Sequence, residues 1–80
     1  MARLVFLGRL EDIAGGPELA CPLAGPTALA DLLQSLSGPL ATALQGPKIR
    51  VALNGVVTDP ARLIVNDSDE LAFLPPVSGG

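Results

Sequence analysis

The chain has 80 residues, with eight acidic and five basic side chains that leave a net charge of −3. This length allows one domain with a single small core, and the high content of Leu, Ala and Val excludes a disordered chain. An acidic chain without a basic stripe is a poor ligand for nucleic acid, because neutralisation of phosphates by Lys and Arg supplies much of that affinity; a basic protein partner fits the charge better.

Histidine is absent, and Cys21 is the only cysteine. These counts exclude a disulfide framework, a zinc site and the Cys–His or Ser–His pairs of hydrolases, so we predict neither a metal site nor an independent enzyme. Cys21 is interpreted as a small buried hydrophobe rather than a reactive thiol. No apolar run approaches the ~18 residues of a membrane span and no cleavable signal is visible, so a cytoplasmic protein without a membrane role is expected.

The first quarter of the chain predicts two paired strands. Residues 3 to 8 form a β-branched and aromatic run with apolar side chains on both faces, which is typical of a strand inside a sheet. Residues 9 to 14 allow one helical turn that ends at Gly15-Gly16. Residues 18 to 23 predict a second strand, which returns beside the first after a short reversal.

The strongest helix signal spans residues 27 to 36. Thr27 is expected to cap its start, and Gly38, in a left-handed conformation, to end it together with Pro39. A second short helix is expected over residues 40 to 45. Spacing at i, i+3, i+4 and i+7 places four leucines on one apolar stripe: Leu29, Leu32, Leu33 and Leu36.

The second half of the chain predicts three strands joined by tight turns. Residues 48 to 53 alternate, with Lys48 and Arg50 on the polar face, and Asn54-Gly55 favours a type I′ turn into a strand at Val56-Val57. Leu63, and with it Ile64, is expected to point inward. Residues 70 to 74 form the last strand, which ends at Pro75-Pro76 because proline cannot donate a backbone hydrogen bond.

An acidic turn, Asn66–Glu70, precedes the last strand. Its carboxylates are interpreted as a solvated turn rather than a metal site, with docking of a basic partner as the second interpretation. The element order β-β-α-β-(short β)-β leaves one amphipathic helix and one sheet to cover it. We therefore predict an α+β fold, a β-grasp (ubiquitin-like) roll whose mixed sheet of four to five strands carries one main helix on one face.

The last ten residues, LAFLPPVSGG, resemble the end of the small subunit of molybdopterin synthase, a ubiquitin-like sulfur carrier. The acidic turn, the segment VALNG at residues 51 to 55 and the opening RLVFLGRLEDIAG at residues 3 to 15 are also similar to that family. One departure is Glu11-Asp12, where the family often carries Arg-Glu. The resemblance implies a β-grasp domain over residues 1–76 and a flexible Gly-Gly tail over residues 77–80.

The resemblance also implies the chemistry of the tail. Gly80 is expected to be adenylated and then converted to a thiocarboxylate, which donates sulfur to a pterin precursor in molybdenum cofactor biosynthesis. Gly79 is expected to let the tail pass a narrow channel, because glycine has no Cβ and accepts any backbone conformation. No cofactor is expected to stay bound, since ATP is used by a separate activating enzyme.

The implied partners are an adenylating enzyme, a sulfurtransferase and the large catalytic subunit of the synthase, in a heterotetramer. Period-two alternation turns Leu7 and Leu74 away from the core if Phe6 and Phe73 point into it. The two leucines are then either covered by a loop or part of a docking patch, and the family's use of this region favours the patch. The whole expected interface comprises Leu7, Phe73, Leu74, Pro75, Pro76, Val77 and Ser78.

Other functions remain open at this stage. A related carrier could serve thiazole formation in thiamin synthesis or the thiolation of tRNA. A ubiquitin-like modifier would instead be joined through Gly80 to lysines of target proteins, after the same activation step. A β-grasp interaction domain without tail chemistry is the third class.

Overall fold

The structure of the protein, a computed structural model, describes residues 1–76. The tail predicted over residues 77–80 lies outside the described residues. The strands are β1 (Ala2–Phe6), β2 (Glu18–Cys21), β3 (Thr27–Ala28), β4 (Arg50–Leu53), β5 (Val56–Thr58), β6 (Ile64–Val65) and β7 (Glu70–Leu74). The helices are α1 (Leu10–Ala14), α2 (Leu29–Gln34) and α3 (Gly38–Leu44), with a 3₁₀ turn at Pro60–Arg62.

Five strands form one mixed sheet in the order β2-β1-β7-β4-β5. The first and last strands are parallel neighbours, with Phe6 opposite Phe73, and the other pairs are antiparallel. This arrangement confirms the predicted α+β fold of the β-grasp type. It also brings the end of β1 and the end of β7 to the same edge of the sheet, where the chain continues towards its C-terminus.

One hydrophobic cluster joins the sheet to the helices. The rings of Phe6 and Phe73 stack at its centre, with centroids 5.6 Å apart and planes 8° apart. Leu29, Leu32 and Leu33 are buried in the same cluster, and Leu36 is half-buried against it. Burial of one such side chain is worth about 1.5–3 kcal/mol relative to exposure, so this stripe fixes the helix on the sheet. The predicted packing of the leucine stripe is confirmed.

The start of the main helix differs from the prediction. Thr27 does not cap it, because this residue belongs to β3 and pairs with Val65 of β6 in a separate two-stranded sheet. The hydroxyl of Thr27 donates a hydrogen bond to the Gly25 carbonyl at 2.9 Å, so it faces back along the chain. The helix begins at Leu29, and a pairing with a distant short strand has replaced the expected local cap.

The break between the helices also differs. Gly38 does not adopt a left-handed conformation, since the glycines with positive φ among residues 1–76 are Gly8, Gly15 and Gly55. Instead, Gly38 is the first residue of α3, with Pro39 in its first turn, where a missing N–H costs nothing. The pair that was expected to stop one helix therefore starts the next.

The predicted turns are largely confirmed. Asn54 and Gly55 have φ of 49° and 85°, as a type I′ turn requires, and Gly15 ends α1 with φ of 85°. Leu63 is buried, whereas Ile64 is 47% exposed and does not point inward. Among residues 1–76, no helix has the length and apolar character needed to cross a membrane.

Candidate functional site

The site is built where the end of β7 meets the end of β1. Pro75-Pro76 follow β7 directly, and Gly8 follows Leu7 beyond β1. A Cβ atom on Gly8 would lie 3.0 Å from Cγ of Pro75, and the φ of Gly8 is +56°. Both features favour glycine, because a Cβ atom would press on the proline ring and a positive φ strains most other residues. The contact fixes the position from which the C-terminal residues leave the domain.

The face of the sheet opposite the helices carries apolar side chains. Leu7 donates its backbone N–H to the Phe73 carbonyl at 3.2 Å, which continues the pairing of β1 with β7 and places Leu7 on this face beside Leu74. Leu7 is 42% exposed and Leu74 is half-buried, so no loop within residues 1–76 covers Leu7. The register extends this surface across the sheet as the open-face patch: Val5, Leu7, Ala52, Val57, Ala72 and Leu74.

The expected interface residues divide into three groups. Leu7, Leu74, Pro75 and Pro76 come together at the edge from which the tail leaves, and all four retain exposed surface. Phe73 requires a correction, because its side chain is completely buried in the core and presents nothing to a partner. Val77, Ser78, Gly79 and Gly80 lie outside the described residues.

Four members of the open-face patch were absent from the predicted interface: Val5, Ala52, Val57 and Ala72. Alternation in residues 48 to 53 put Ala52 on the same face as Lys48 and Arg50, which was interpreted as a solvated face. Val57 is 61% exposed on β5, opposite Ala52. The signal that links them to Leu74 is the order of strands in the sheet, and that order follows from long-range pairing rather than from local sequence.

Basic side chains flank Pro76 on both sides. Arg9 lines a cavity of about 260 Å³ together with Gly8, Pro75 and Pro76. Lys48 and Arg50 line a larger cavity of about 720 Å³ that reaches Pro76 from the other side. All three cations are exposed.

The opposite end of β7 is closed by hydrogen bonds within the chain. The side chain of Asn54 donates to Asp69 at 3.0 Å and accepts from the backbone N–H of Glu70 at 2.9 Å. The backbone N–H of Asn66 donates to the other oxygen of Asp69 at 2.8 Å. These donors, Asn54 first and then Asn66, hold the pKa of Asp69 below its ordinary value.

Asp67 has a similar structural role. It accepts a hydrogen bond from the backbone N–H of Leu23 at 2.8 Å and lies 3.3 Å from the terminal amine of Met1. The bond from Leu23, followed by that from the amine, holds the pKa of Asp67 below its ordinary value. Close by, Arg3 forms ion pairs with Glu70 and Glu18. The acidic turn therefore organises the start of β7.

The described part of the chain offers no metal centre: residues 1–76 contain no group of three or more Cys, Asp or Glu side chains placed to hold a metal ion. Cys21 is a free cysteine, buried at the end of β2, and it belongs to the hydrophobic cluster. This surface therefore offers a partner an apolar sheet face and three flanking cations. Between them lies the tail base, which is formed by Pro75 and Pro76.

Comparison with curated protein sequences finds no match. Among solved structures, SAMP1 from Haloferax volcanii is 25% identical, with 99% of this chain and 98% of that chain covered and a TM-score of 0.77. A Pyrococcus furiosus protein assigned as subunit 1 of a molybdopterin converting factor is 19% identical over 95% and 97% of the two chains, with a TM-score of 0.74. The thiamine biosynthesis protein ThiS from Geobacter metallireducens is 23% identical over 98% and 99%, with a TM-score of 0.57.

The last two likenesses show the fold alone. Comparison with protein families is more specific than these structural likenesses, because the model of the ThiS family matches this chain from residue 4 to residue 80. The match includes the β-grasp domain and continues through the tail. The chain therefore belongs to the ThiS family, a family of ubiquitin-like sulfur carriers and modifiers.

Proposed function

We propose that this chain is the sulfur-carrier subunit of a molybdopterin synthase. In this proposal Gly80 is adenylated, converted to a thiocarboxylate and inserted into the active site of a large catalytic subunit. The chain is not an enzyme by itself and keeps no cofactor; ATP is consumed by its activating enzyme. The finer assignment within the ThiS family is supported by the tail LAFLPPVSGG, with its two prolines before the glycines.

The observation that carries the proposal is the construction of the tail base. A carrier has to present a C-terminal group far enough from its domain to enter another protein. Gly8 packs against Pro75, and the two prolines constrain the backbone to extended conformations directly after β7. The open-face patch adjoins this point and offers a partner an apolar surface to bury. An anchored base beside a docking surface is what delivery of the tail into a channel requires.

The chemistry follows from the weak reactivity of a carboxylate. Attack of the Gly80 carboxylate on the α-phosphate of ATP gives an acyl-adenylate and releases pyrophosphate. A donor that delivers sulfur at the level of hydrosulfide then displaces AMP and leaves a thiocarboxylate. Transfer of that sulfur to the pterin precursor, with uptake of oxygen from water, regenerates the carboxylate. The carrier contributes position and reach, while the activating enzyme and the large subunit supply the catalytic groups.

The test combines the intact protein with an adenylating enzyme from the same genome, ATP and a sulfur donor. Mass spectrometry of the intact chain should show an oxygen-to-sulfur exchange, and fragmentation should place it on Gly80. The thiocarboxylated protein is then added to a large molybdopterin synthase subunit with pterin precursor and, in parallel, to a thiazole synthase. Sulfur transfer in the first reaction alone is expected; transfer in the second alone would contradict the pathway but keep the carrier function.

The likeness to SAMP1 favours a second candidate function. That protein is described as a small archaeal modifier protein, and its structure covers nearly all of this chain. A modifier would use the same activated Gly80 but transfer it to the amine of a target lysine. Isolation of tagged chain from cell extract, followed by proteolysis and detection of Gly-Gly remnants on lysines, would establish that function. A mass shift limited to the free chain would argue against it.

A further inference from the structure

Three of the five basic side chains gather around the tail base. Arg9 lines the smaller cavity beside Pro76, and Lys48 and Arg50 line the larger one. We call these three residues the cationic collar. They come from two separate parts of the chain, and their grouping on a protein of net charge −3 arises only from the fold.

The charge of the collar is available to a partner. Among residues 1–76, the ion pairs use the amine of Met1 and the guanidinium of Arg3, and none uses a collar residue. Within the described part of the chain, Asp59 is the one acidic residue that lines either cavity, and its carboxylate accepts a hydrogen bond from the backbone N–H of Ala61 at 3.0 Å. Glu11 and Asp12 follow Arg9 outside both cavities and offset part of its charge, so Lys48 and Arg50 contribute most of the local field.

Acidic side chains occupy the other end of the same strand. Glu70 begins β7 and Asp67 and Asp69 precede it, whereas Glu18 lies level with Ala72 in mid-strand and directs its carboxylate to Arg3, the register partner of Glu70. The five residues of β7 separate its two ends by about 13 Å, at ~3.3 Å per residue. That distance exceeds the Debye length of ~8–10 Å at physiological salt, so a partner near one end is largely screened from the other. The domain thus presents its tail from a locally positive surface.

We propose that the cationic collar docks on acidic side chains around the channel entrance of the adenylating enzyme and so orients the tail for entry. This inference rests on the proposed function, which requires such a channel. A protein surface fits better than nucleic acid, because three cations neutralise few phosphates on a chain that is acidic overall. Arg50 also pairs in register with Leu74, which makes the collar continuous with the open-face patch. One partner can therefore cover both surfaces.

The proposal predicts a specific kinetic role. Complementary charges raise association rates by factors of 10–10³, and the effect falls steeply with ionic strength. Acidic residues around the channel would attract the collar and repel the acidic turn, so the chain would approach with its tail leading. Loss of the collar should slow association and leave later steps unchanged.

The first experiment needs no enzyme. A decaglutamate peptide is titrated into the isotope-labelled chain at low salt, and amide shifts are followed by NMR. Shifts should concentrate around Lys48 and Arg50, and the Lys48→Gln/Arg50→Gln variant should bind about ten-fold more weakly. The matched control is Arg3→Gln/Arg62→Gln, which changes the net charge equally and should keep wild-type binding. The proposal would be overturned if the control lost as much affinity for the peptide, or if the amide shifts were dispersed over the domain. It would also be overturned if the chain bound a ten-nucleotide DNA but not the peptide.

The second experiment measures association with the adenylating enzyme by stopped flow at ~10 mM and ~150 mM salt, where the Debye lengths are ~30 Å and ~8 Å. The Lys48→Gln/Arg50→Gln variant should associate about ten-fold more slowly at low salt, with a smaller difference at high salt. Its adenylation rate at saturating enzyme should equal that of wild type. If the variant associated at the wild-type rate at low salt, the collar proposal would be overturned. Absence of adenylation in the wild type would instead contradict the proposed function, and the peptide titration would still decide whether the collar prefers acidic side chains.

Discussion

The two ends of β7 differ in how their side chains are used. At its start, the side chains of Asn54, Asp67 and Asp69 are engaged in hydrogen bonds within the chain. At its end, Leu74 meets the exposed Leu7, and the flanking cations have no ion-pair partner among residues 1–76. The start of the strand uses its polar groups to hold the fold, whereas the end leaves its surface open to other molecules. Substitutions at the two ends should therefore have separable effects on stability and on function.

The largest functional effect is expected from deletion of Gly80, the last residue of the chain. The new terminal carboxylate on Gly79 would be displaced by up to ~3.6 Å, and a misplacement of about 1 Å can already cost ~10²-fold in rate. Thiocarboxylation should fall below detection in the mass assay. The free energy of unfolding should change by less than about 0.5 kcal/mol, as for surface changes in general. An added residue after Gly80 should abolish the reaction equally; a deletion variant that reacts at the wild-type rate would contradict the terminal-glycine mechanism.

The next largest effect should come from Leu7→Glu in the open-face patch. A buried interfacial leucine is worth about 1.5–3 kcal/mol, and each ~1.4 kcal/mol is a factor of ten in affinity. Binding to the large subunit should weaken at least ten-fold by calorimetry, and Leu74→Glu should do the same. The matched control is Ile13→Glu on α1, because Ile13 is 45% exposed and Leu7 is 42% exposed. Equal affinity of the two variants, both still folded, would show that the open-face patch is not the docking surface.

A smaller effect, on stability alone, is expected at the start of β7 from Asn54→Gly. Glycine keeps the positive φ of this turn but removes the hydrogen bonds to Asp69 and Glu70. A net contribution of about 0.5–1.5 kcal/mol for each of these two bonds predicts a loss of about 1–3 kcal/mol in the free energy of unfolding, measured in urea. Combining this substitution with Asp69→Ala should give less than the sum of the two losses, since both remove the same bond. If the folded variant transferred sulfur more slowly than wild type, the start of β7 would affect function as well as stability, which would contradict this comparison.

The sequence predicted the elements whose signals are local. The leucine stripe over residues 29 to 36 and the Asn54-Gly55 turn follow from periodicity and turn chemistry, and the structure confirms both. The error at the start of the main helix has a long-range cause. Thr27 has the chemistry of a helix cap, but pairing with Val65 places it in a strand.

The candidate site shows the same division. Leu7 and Leu74 were predicted to face away from the core on a shared patch, and the parallel pairing of β1 with β7 brings them side by side. Lys48 and Arg50 were interpreted as a solvated strand face, since nothing in their local sequence shows that Pro76 lies beside them. A site assembled across strands becomes predictable only when the strand order is known.

The smallest effect that separates the two ends is the dependence of stability on pH. Hydrogen bonds lower the pKa of Asp67 and of Asp69 in the folded protein, from about 3.9 for an unperturbed aspartate. A lowered folded pKa means that the unfolded chain binds protons first as the pH falls. The stabilisation is therefore complete above the unfolded value and is lost progressively below about pH 4, as the pH passes through the folded pKa. Urea midpoints measured from pH 6 down to pH 2 should decline in this range.

Asp69→Asn should remove its share of that decline, because the amide does not titrate. Leu74→Ala, at the other end of the strand, should lower the urea midpoint by the same amount at every pH, so the dependence of the midpoint on pH should match that of wild type. Asp67 is exposed and Asp69 is partly exposed, so electrostatic screening keeps the acid effect modest, and the effect should shrink further in high salt. An identical pH slope in wild type and Asp69→Asn would show that the carboxylate of Asp69 does not stabilise the start of β7, despite its hydrogen bonds with Asn54 and Asn66.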